Sequence, residues 1–185
     1  MANQTEVILD RRPSPGIWSR FAGAFYFLAV AVAVFCEFFA PGRYVIPAIV
    51  IPVACYAVVT LLLYAVLKPV HRGLALLAAI VNLIGLALEA LRWQPSGINI
   101  AMLFHGSFCI LIGWLILRST FLPRVLGAFM AIAGLIWMIY LLPPLAGRLA
   151  PYNTVIGLLG ETMPMLWLFA MGVNAQRWRE QSIAR

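Results

Sequence analysis

Glu37, Glu89 and Glu161 are the only carboxylates between residues 11 and 179, and each falls inside or at the end of a long apolar segment. His105 stands in another such segment. A charged side chain costs about 2.5–3.5 kcal/mol at the centre of a bilayer on insertion scales, so ionisable residues in apolar spans point to a functional site. A carboxylate and an imidazole at one depth suit general acid–base work or proton carriage.

Helical spacing groups further residues with them. Asn82, Gly85 and Glu89 stand at i, i+3 and i+7, one stripe of a helix. His105, Cys109 and Gly113 repeat at i, i+4 and i+8, a stripe whose small residues admit a close neighbour. Gly157, Glu161 and Pro164 form a third stripe. Pro164 lacks an amide and displaces the carbonyl of Gly160, which predicts a loosened or broken helix beside a cavity.

Other chemistries are less well served. Glu and His suit zinc, manganese or non-haem iron, but no Glu-x-x-His or His-x-x-x-His pair occurs, so no metal site is expected. Ser107 is two residues from His105 and points elsewhere on a helix, which argues against an activated nucleophile. No phosphate loop or dinucleotide fingerprint occurs, and no motif in the sequence names a cofactor. Cys36, Cys55 and Cys109 lie in three different segments with no close pair and are read as small packing residues.

The elements that must position these groups follow from composition. Of 185 residues, 64% are hydrophobic and only 10% are charged, against about 25% in soluble domains. Six apolar runs reach the ~20 residues needed to cross a bilayer: 19–40, 44–67, 73–91, 97–117, 122–143 and 153–173. The expected fold is an all-α membrane protein, a compact bundle of six transmembrane helices filling residues 19–174. Residues 1–18 form an N-terminal tail and 175–185 a basic C-terminal tail.

Ten of the Lys and Arg residues fall on the side of the termini. Arg43, Arg92 and Arg148 alone fall on the other. That bias places both termini in the cytoplasm and accounts for the net charge of +7 without nucleic acid.

With this threading, Glu37 and Glu89 lie about one turn below the outer ends of their helices, and His105 and Glu161 about two turns, roughly 12 Å. The expected site is therefore a pocket in the outer half. Glu161 and His105 are its candidate acid and base, and Glu89, Glu37, Arg92, Asn82 and Asn99 its binding residues. Structural roles compete: Glu37 and Glu89 can be rim residues, with Glu89 paired to Arg92 at i+3. His105 can be a neutral imidazole bonded to a backbone carbonyl or to Asn99.

The strings LLLYAVLKPVHRGLALLAA (61–79), LRSTFLPRVLG (117–127), AGL (133–135) and LGETMPMLWLFAMGVNAQRWREQ (159–181) resemble a family of bacterial multi-spanning membrane proteins described as a domain of unknown function. The resemblance runs from Arg20 to the tail and implies a bacterial inner-membrane location. It carries no activity and no site residues.

Three functional classes fit these residues. The first is a cavity for a membrane-soluble small molecule, such as a lipid, isoprenoid or quinone, on which Glu161 and His105 act by proton transfer. The second is a proton-coupled carrier exchanging through Glu161. The third is a non-catalytic subunit of a larger membrane complex. The expected partners are the bilayer, a lipid-soluble molecule, and copies of this chain or a larger assembly; nucleic acid is not among them.

Overall fold

The computed structural model describes residues 14–39 and 45–184. The apolar runs are helices: α1 (Pro15–Phe39), α2 (Val45–Leu67), α3 (Arg72–Ala90), α4 (Ile100–Arg118) and α5 (Arg124–Met138). They are followed by a short α6 (Pro143–Leu149), then α7 (Tyr152–Ala170) and α8 (Ala175–Ile183). Among the described residues there is no strand. A helix of 19 residues, the length of α3, α4 and α7, spans about 28 Å, the thickness of bilayer hydrocarbon.

Side-chain exposure runs opposite to that of a soluble bundle. Leu61, Ile84, Val125, Leu135, Leu159 and Phe169 all face outward, where a water-soluble helix would carry charge. The chain is thus a multi-pass membrane protein. Helices α1 to α5 are long and apolar enough to cross. The length of α7 is the same, but Asn153, Thr154, Glu161 and Thr162 dilute its apolar character, and it supplies the sixth span.

Short connections make successive helices antiparallel neighbours, and the last closes on the first. The contacts run α1 to α2, α2 to α3, α3 to α4, α4 to α5, α5 to α7, and α7 back to α1. The result is a closed ring of six helices around one interior. The interior is apolar and filled near the end that holds the termini, where Leu67, Phe108, Ile112, Leu115 and Met130 are fully buried.

Two elements depart from the sequence expectation. The fifth span stops as an α-helix at Met138 and passes through a 3₁₀ turn, Ile139–Leu141, into α6. Pro143 and Pro144 open that helix rather than ending the span, because the first helical turn has no intrahelical partner for its amides. The segment read as a basic tail is α8, bent 99° from α7.

Gly172 makes this bend at φ 67, a left-handed conformation that glycine adopts without cost. The amide of Val173 then donates to Ser19 Oγ at 3.0 Å, and Trp178 Nε1 donates to the carbonyl of Val66 at 2.7 Å. The amide and hydroxyl of Thr120 both donate to Gln181 Oε1, at 3.0 and 2.9 Å. Helix α8 thereby fastens α1, α2 and the α4–α5 turn across the end of the ring.

Helices α4 and α5 meet along a close glycine seam. A Cβ on Gly113 would stand 2.7 Å from the carbonyl oxygen of Gly127, and one on Gly106 would stand 2.7 Å from that of Gly134. Small residues that let backbones touch are the usual means of helix association in lipid, where hydrophobicity does not discriminate between neighbours. Gly113→Val should therefore destabilise the ring by about 1–3 kcal/mol through overpacking. Gly147→Ala in α6, where nothing lies within 4 Å, should be neutral or gain roughly 0.5–1 kcal/mol. Thermal unfolding in detergent checks the pair, and equal midpoints for the two variants would contradict the packing argument.

Candidate functional site

Glu161 lies on the inward stripe of α7 with 2% of its surface exposed. An ionised carboxylate is an acceptor with about four lone-pair sites, and burying one away from water is costly unless each site is met. Four groups from four other helices meet them. The hydroxyls of Tyr26 (α1) and Tyr56 (α2) donate to Oε2, the latter at 3.2 Å. His105 (α4) lies with Nε2 at 2.9 Å from Oε1, and the indole N–H of Trp137 (α5) donates to the same oxygen. The sulfur of Cys109, one turn below His105, is 3.7 Å from Oε1.

Local sequence explains why these side chains arrive together. A Cβ on Gly157, one turn before Glu161, would stand 2.9 Å from the ring of Trp137, so the indole fits only because that position is glycine. Gly23, three residues before Tyr26, lies against the backbone of Leu168 and Phe169, which draws α1 onto α7. The rings then pack edge-on: Tyr26 and Tyr56 have centroids 5.1 Å apart at 65°, and Tyr56 and His105 5.6 Å apart at 87°. Helix α3 sends no group to Glu161. It joins through Asn82, whose amide donates at 2.6 Å to Thr60 Oγ1, one turn from Tyr56.

Between this cluster and the ring end away from the termini lies a cavity of about 270 Å³. Glu161, His105, Asn82 and Glu89 all line it, together with Tyr56, Trp137 and apolar residues of α1, α2 and α4. Four of the seven residues singled out from sequence thus share one cavity. His105, with 17% of its side chain exposed, lines it with Nδ1 making no hydrogen bond among the described residues. The carboxylate of Glu89 likewise has no hydrogen-bond or ion-pair partner among the described residues.

The other expected residues fall elsewhere. Arg92 sits at φ 51 in the turn after α3, exposed, and does not line the cavity; the Glu89–Arg92 pair is not formed, because the helix ends at Ala90 and the turn carries Arg92 off the i+3 position. Asn99 does not line it either, and its Oδ1 is buried without a partner among the described residues. His105 bonds Glu161 rather than Asn99 or a backbone carbonyl. The side chain of Glu37 lies outside the described residues.

Helix α7 is continuous through Pro164, so the expected break is absent. Pro164 and Gly160 are both buried against neighbouring helices, with Gly160 seated on Phe129 and Ala133 of α5, and such packing accommodates proline within a membrane helix. Sequence reasoning missed Tyr26, Tyr56 and Trp137, and assigned Cys109 to packing. One available signal was the i+4 spacing of His105 and Cys109, which places both on the face that meets Glu161.

Residues 86–172 match a family described as a domain of unknown function (DUF4386). That stretch holds Glu89, His105, Cys109, Trp137 and Glu161, while Tyr26, Tyr56 and Asn82 precede it. An uncharacterised protein of Archaeoglobus fulgidus is 26% identical over 156 residues, covering 78% of this chain and 94% of the relative. No solved structure matches. The resemblance to an uncharacterised family read from the turns and from α7 is thus borne out.

Replacing the acceptor leaves four donors facing an amide, and breaking a buried charged network by removing one partner costs about 3–5 kcal/mol. Glu161→Gln should therefore destabilise the ring more than Tyr26→Phe, which removes one bond to a charged group worth about 1.5–3 kcal/mol. Tyr56→Phe, with its longer and less buried bond, should cost least. Unfolding midpoints of the purified variants check the order, and a Glu161→Gln protein as stable as Tyr56→Phe would contradict it.

Proposed function

We propose that this chain is a plasma-membrane protein, with both termini in the cytoplasm, that holds the polar head of a membrane-soluble small molecule in the cavity between Glu89 and the Glu161–His105 pair. The charge asymmetry of the loops supports the orientation. The observation that carries the reading is the convergence of Glu161, His105, Asn82 and Glu89 on one otherwise apolar cavity. A largely apolar enclosure with a few convergent polar groups is the usual form of a small-molecule site.

Size and openness narrow the ligand. A volume of about 270 Å³ falls just under the roughly 300–1,000 Å³ of drug-sized pockets, enough for a single ring or a compact polar head but not for a whole lipid. Ala33 and Val34 of α1 line the cavity and are themselves exposed on the lipid-facing surface, so an acyl or prenyl tail has a lateral way out. The carboxylate of Glu89, an acceptor, lines the cavity, which favours a head that donates hydrogen bonds, such as a hydroxyl, a hydroquinone or an amine.

The same geometry supports acid–base chemistry on that head. Glu161, its lone pairs occupied, orients the imidazole of His105 and balances a positive charge on it. His105 Nδ1 is then the atom that takes or gives a proton in the cavity, the division of labour found wherever a carboxylate holds a catalytic histidine. The opposite half of the ring is packed with Leu67, Ile112, Leu115 and Met130, which supports a closed-ended site over a through-pathway for a carrier.

Native mass spectrometry of the protein purified in mild detergent tests this reading, both for retained lipid and after addition of a short-tailed hydroquinone and a prenyl alcohol. Wild-type protein should retain a bound molecule or take up one of the probes. Ala33→Trp, which plugs the mouth from an exposed position, should reduce occupancy at least about tenfold, equivalent to ~1.4 kcal/mol. Glu89→Ala should weaken it similarly. Occupancy unchanged in both variants would overturn the proposal.

A further inference from the structure

At the cavity floor Cys109 joins His105 and Glu161, and the three present metal-ligating atoms to one point. His105 Nε2 and Glu161 Oε1 are 2.9 Å apart, and Cys109 Sγ is 3.7 Å from each. The three donor atoms form the face of a small tetrahedron. A point about 2.0–2.1 Å from Nε2 and Oε1 and about 2.3 Å from Sγ exists just out of the plane of the three donors, which matches zinc–nitrogen and zinc–oxygen bonds of about 2.0–2.2 Å and a zinc–sulfur bond of about 2.3 Å. We propose that His105, Cys109 and Glu161 bind one Zn²⁺ ion, with the fourth coordination position directed into the cavity.

Three independent features support the assignment. The first is the donor set: one imidazole, one thiolate and one carboxylate make a mixed nitrogen, sulfur and oxygen site that suits zinc better than the harder magnesium or calcium ions. The second is charge. A Zn²⁺ ion with a thiolate, a carboxylate and a neutral imidazole has no net charge, the least costly state for an ionic centre buried in hydrocarbon.

The third is the surrounding shell. A carboxylate that ligates through one oxygen needs its other lone pairs held, and Glu161 Oε2 accepts from Tyr26 and Tyr56 while Trp137 donates to Oε1. Gly157 makes room for Trp137, and Gly23 lets the helix that carries Tyr26 approach α7. These donors remain in place when the direct His105–Glu161 bond is replaced by two bonds to the metal.

The proposal deepens the cavity reading above and rests on it for its open position. His105 and Glu161 line the cavity, whereas Cys109 is fully buried beneath them, so three protein ligands close one side of the ion and the fourth side faces the enclosed space. Three protein ligands with one open position is the arrangement of a catalytic rather than a structural zinc. His105 Nε2, Cys109 Sγ and Glu161 Oε1 would hold the ion, which would supply Lewis-acid polarisation at the open position facing the ligand head.

Cobalt titration of chelator-stripped, detergent-purified protein tests the site directly. Wild-type protein should bind one equivalent of Co²⁺ with the intense visible bands of a four-coordinate ion and a thiolate-to-cobalt charge-transfer band, and Zn²⁺ should displace it. Cys109→Ser, which leaves Tyr26, Tyr56, His105 and Trp137 to bond Glu161, should abolish the charge-transfer band and weaken affinity at least about tenfold. His71→Ala, which alters the other histidine, exposed at the start of α3, should change neither. A folded wild-type protein without the bands, or a Cys109→Ser protein with an unchanged spectrum, would overturn the zinc assignment. Lipid occupancy and its loss in Ala33→Trp are read without metal, so failure of the zinc site and failure of the cavity reading give different results.

Discussion

A carboxylate held in hydrocarbon must be met by donors at every lone pair, and the helix that carries it cannot supply them. Glu161 on α7 receives hydrogen bonds from α1, α2, α4 and α5, so one residue fixes the rotation of four other helices about their own axes. In lipid this is an unusually specific device. Apolar side chains do not distinguish a neighbouring helix from an acyl chain, whereas a buried anion distinguishes a donor from everything else. The close glycine seams follow from the same requirement: without glycine at 157 the indole of Trp137 has no room beside the carboxylate.

The one spanning helix that does not reach Glu161 explains where the cavity lies. The buried face of α3 is Ala75, Ala78, Ala79, Asn82 and Gly85, all small. Near the termini Ala75 and Ala78 belong to one buried apolar cluster with large side chains that include Phe108 and Ile112 of the neighbouring α4. Toward the other end the facing residues are Tyr56, His105 and Trp137, whose polar edges are drawn to Glu161 and away from α3. Space is left between the polar cluster and the wall that α3 forms. The interior is therefore solid in one half and hollow in the other, from a single asymmetry of donor placement.

Much of this was legible in the sequence, and the limits have physical reasons. Six runs of sufficient length, separated by short turns, dictate an antiparallel bundle, and the depths of Glu161 and His105 follow from counting residues along it. Helical stripes identified the inward face at Asn82, Gly85 and Glu89. Tyr26, Tyr56 and Trp137 left no trace, because an aromatic residue within a span reads as part of its apolar content, and its hydroxyl or N–H becomes significant only once a distant acceptor is placed. Pro164 misled for a related reason: a proline predicts loosened backbone in an isolated helix, but here the α5 surface packs against the same turn and α7 runs through unbroken. Arg92 was assigned to Glu89 by i+3 spacing, which holds only while the helix continues.

Two glutamates on different helices end in opposite circumstances, and the contrast divides their roles. Glu161 accepts from groups on four helices of the ring, so its carboxylate is held in place. Glu89, half-buried on the same cavity, has no hydrogen-bond or ion-pair partner among the described residues. Environment separates identical side chains into a fixed electrostatic element and a responsive one, as it does for paired carboxylates in enzyme clefts. His105 stands between them, bound to the fixed charge through Nε2 and lining the space that Glu89 overlooks. The cavity is thus lined by an imidazole held to a buried carboxylate and by a second carboxylate that makes no hydrogen bond or ion pair among the described residues.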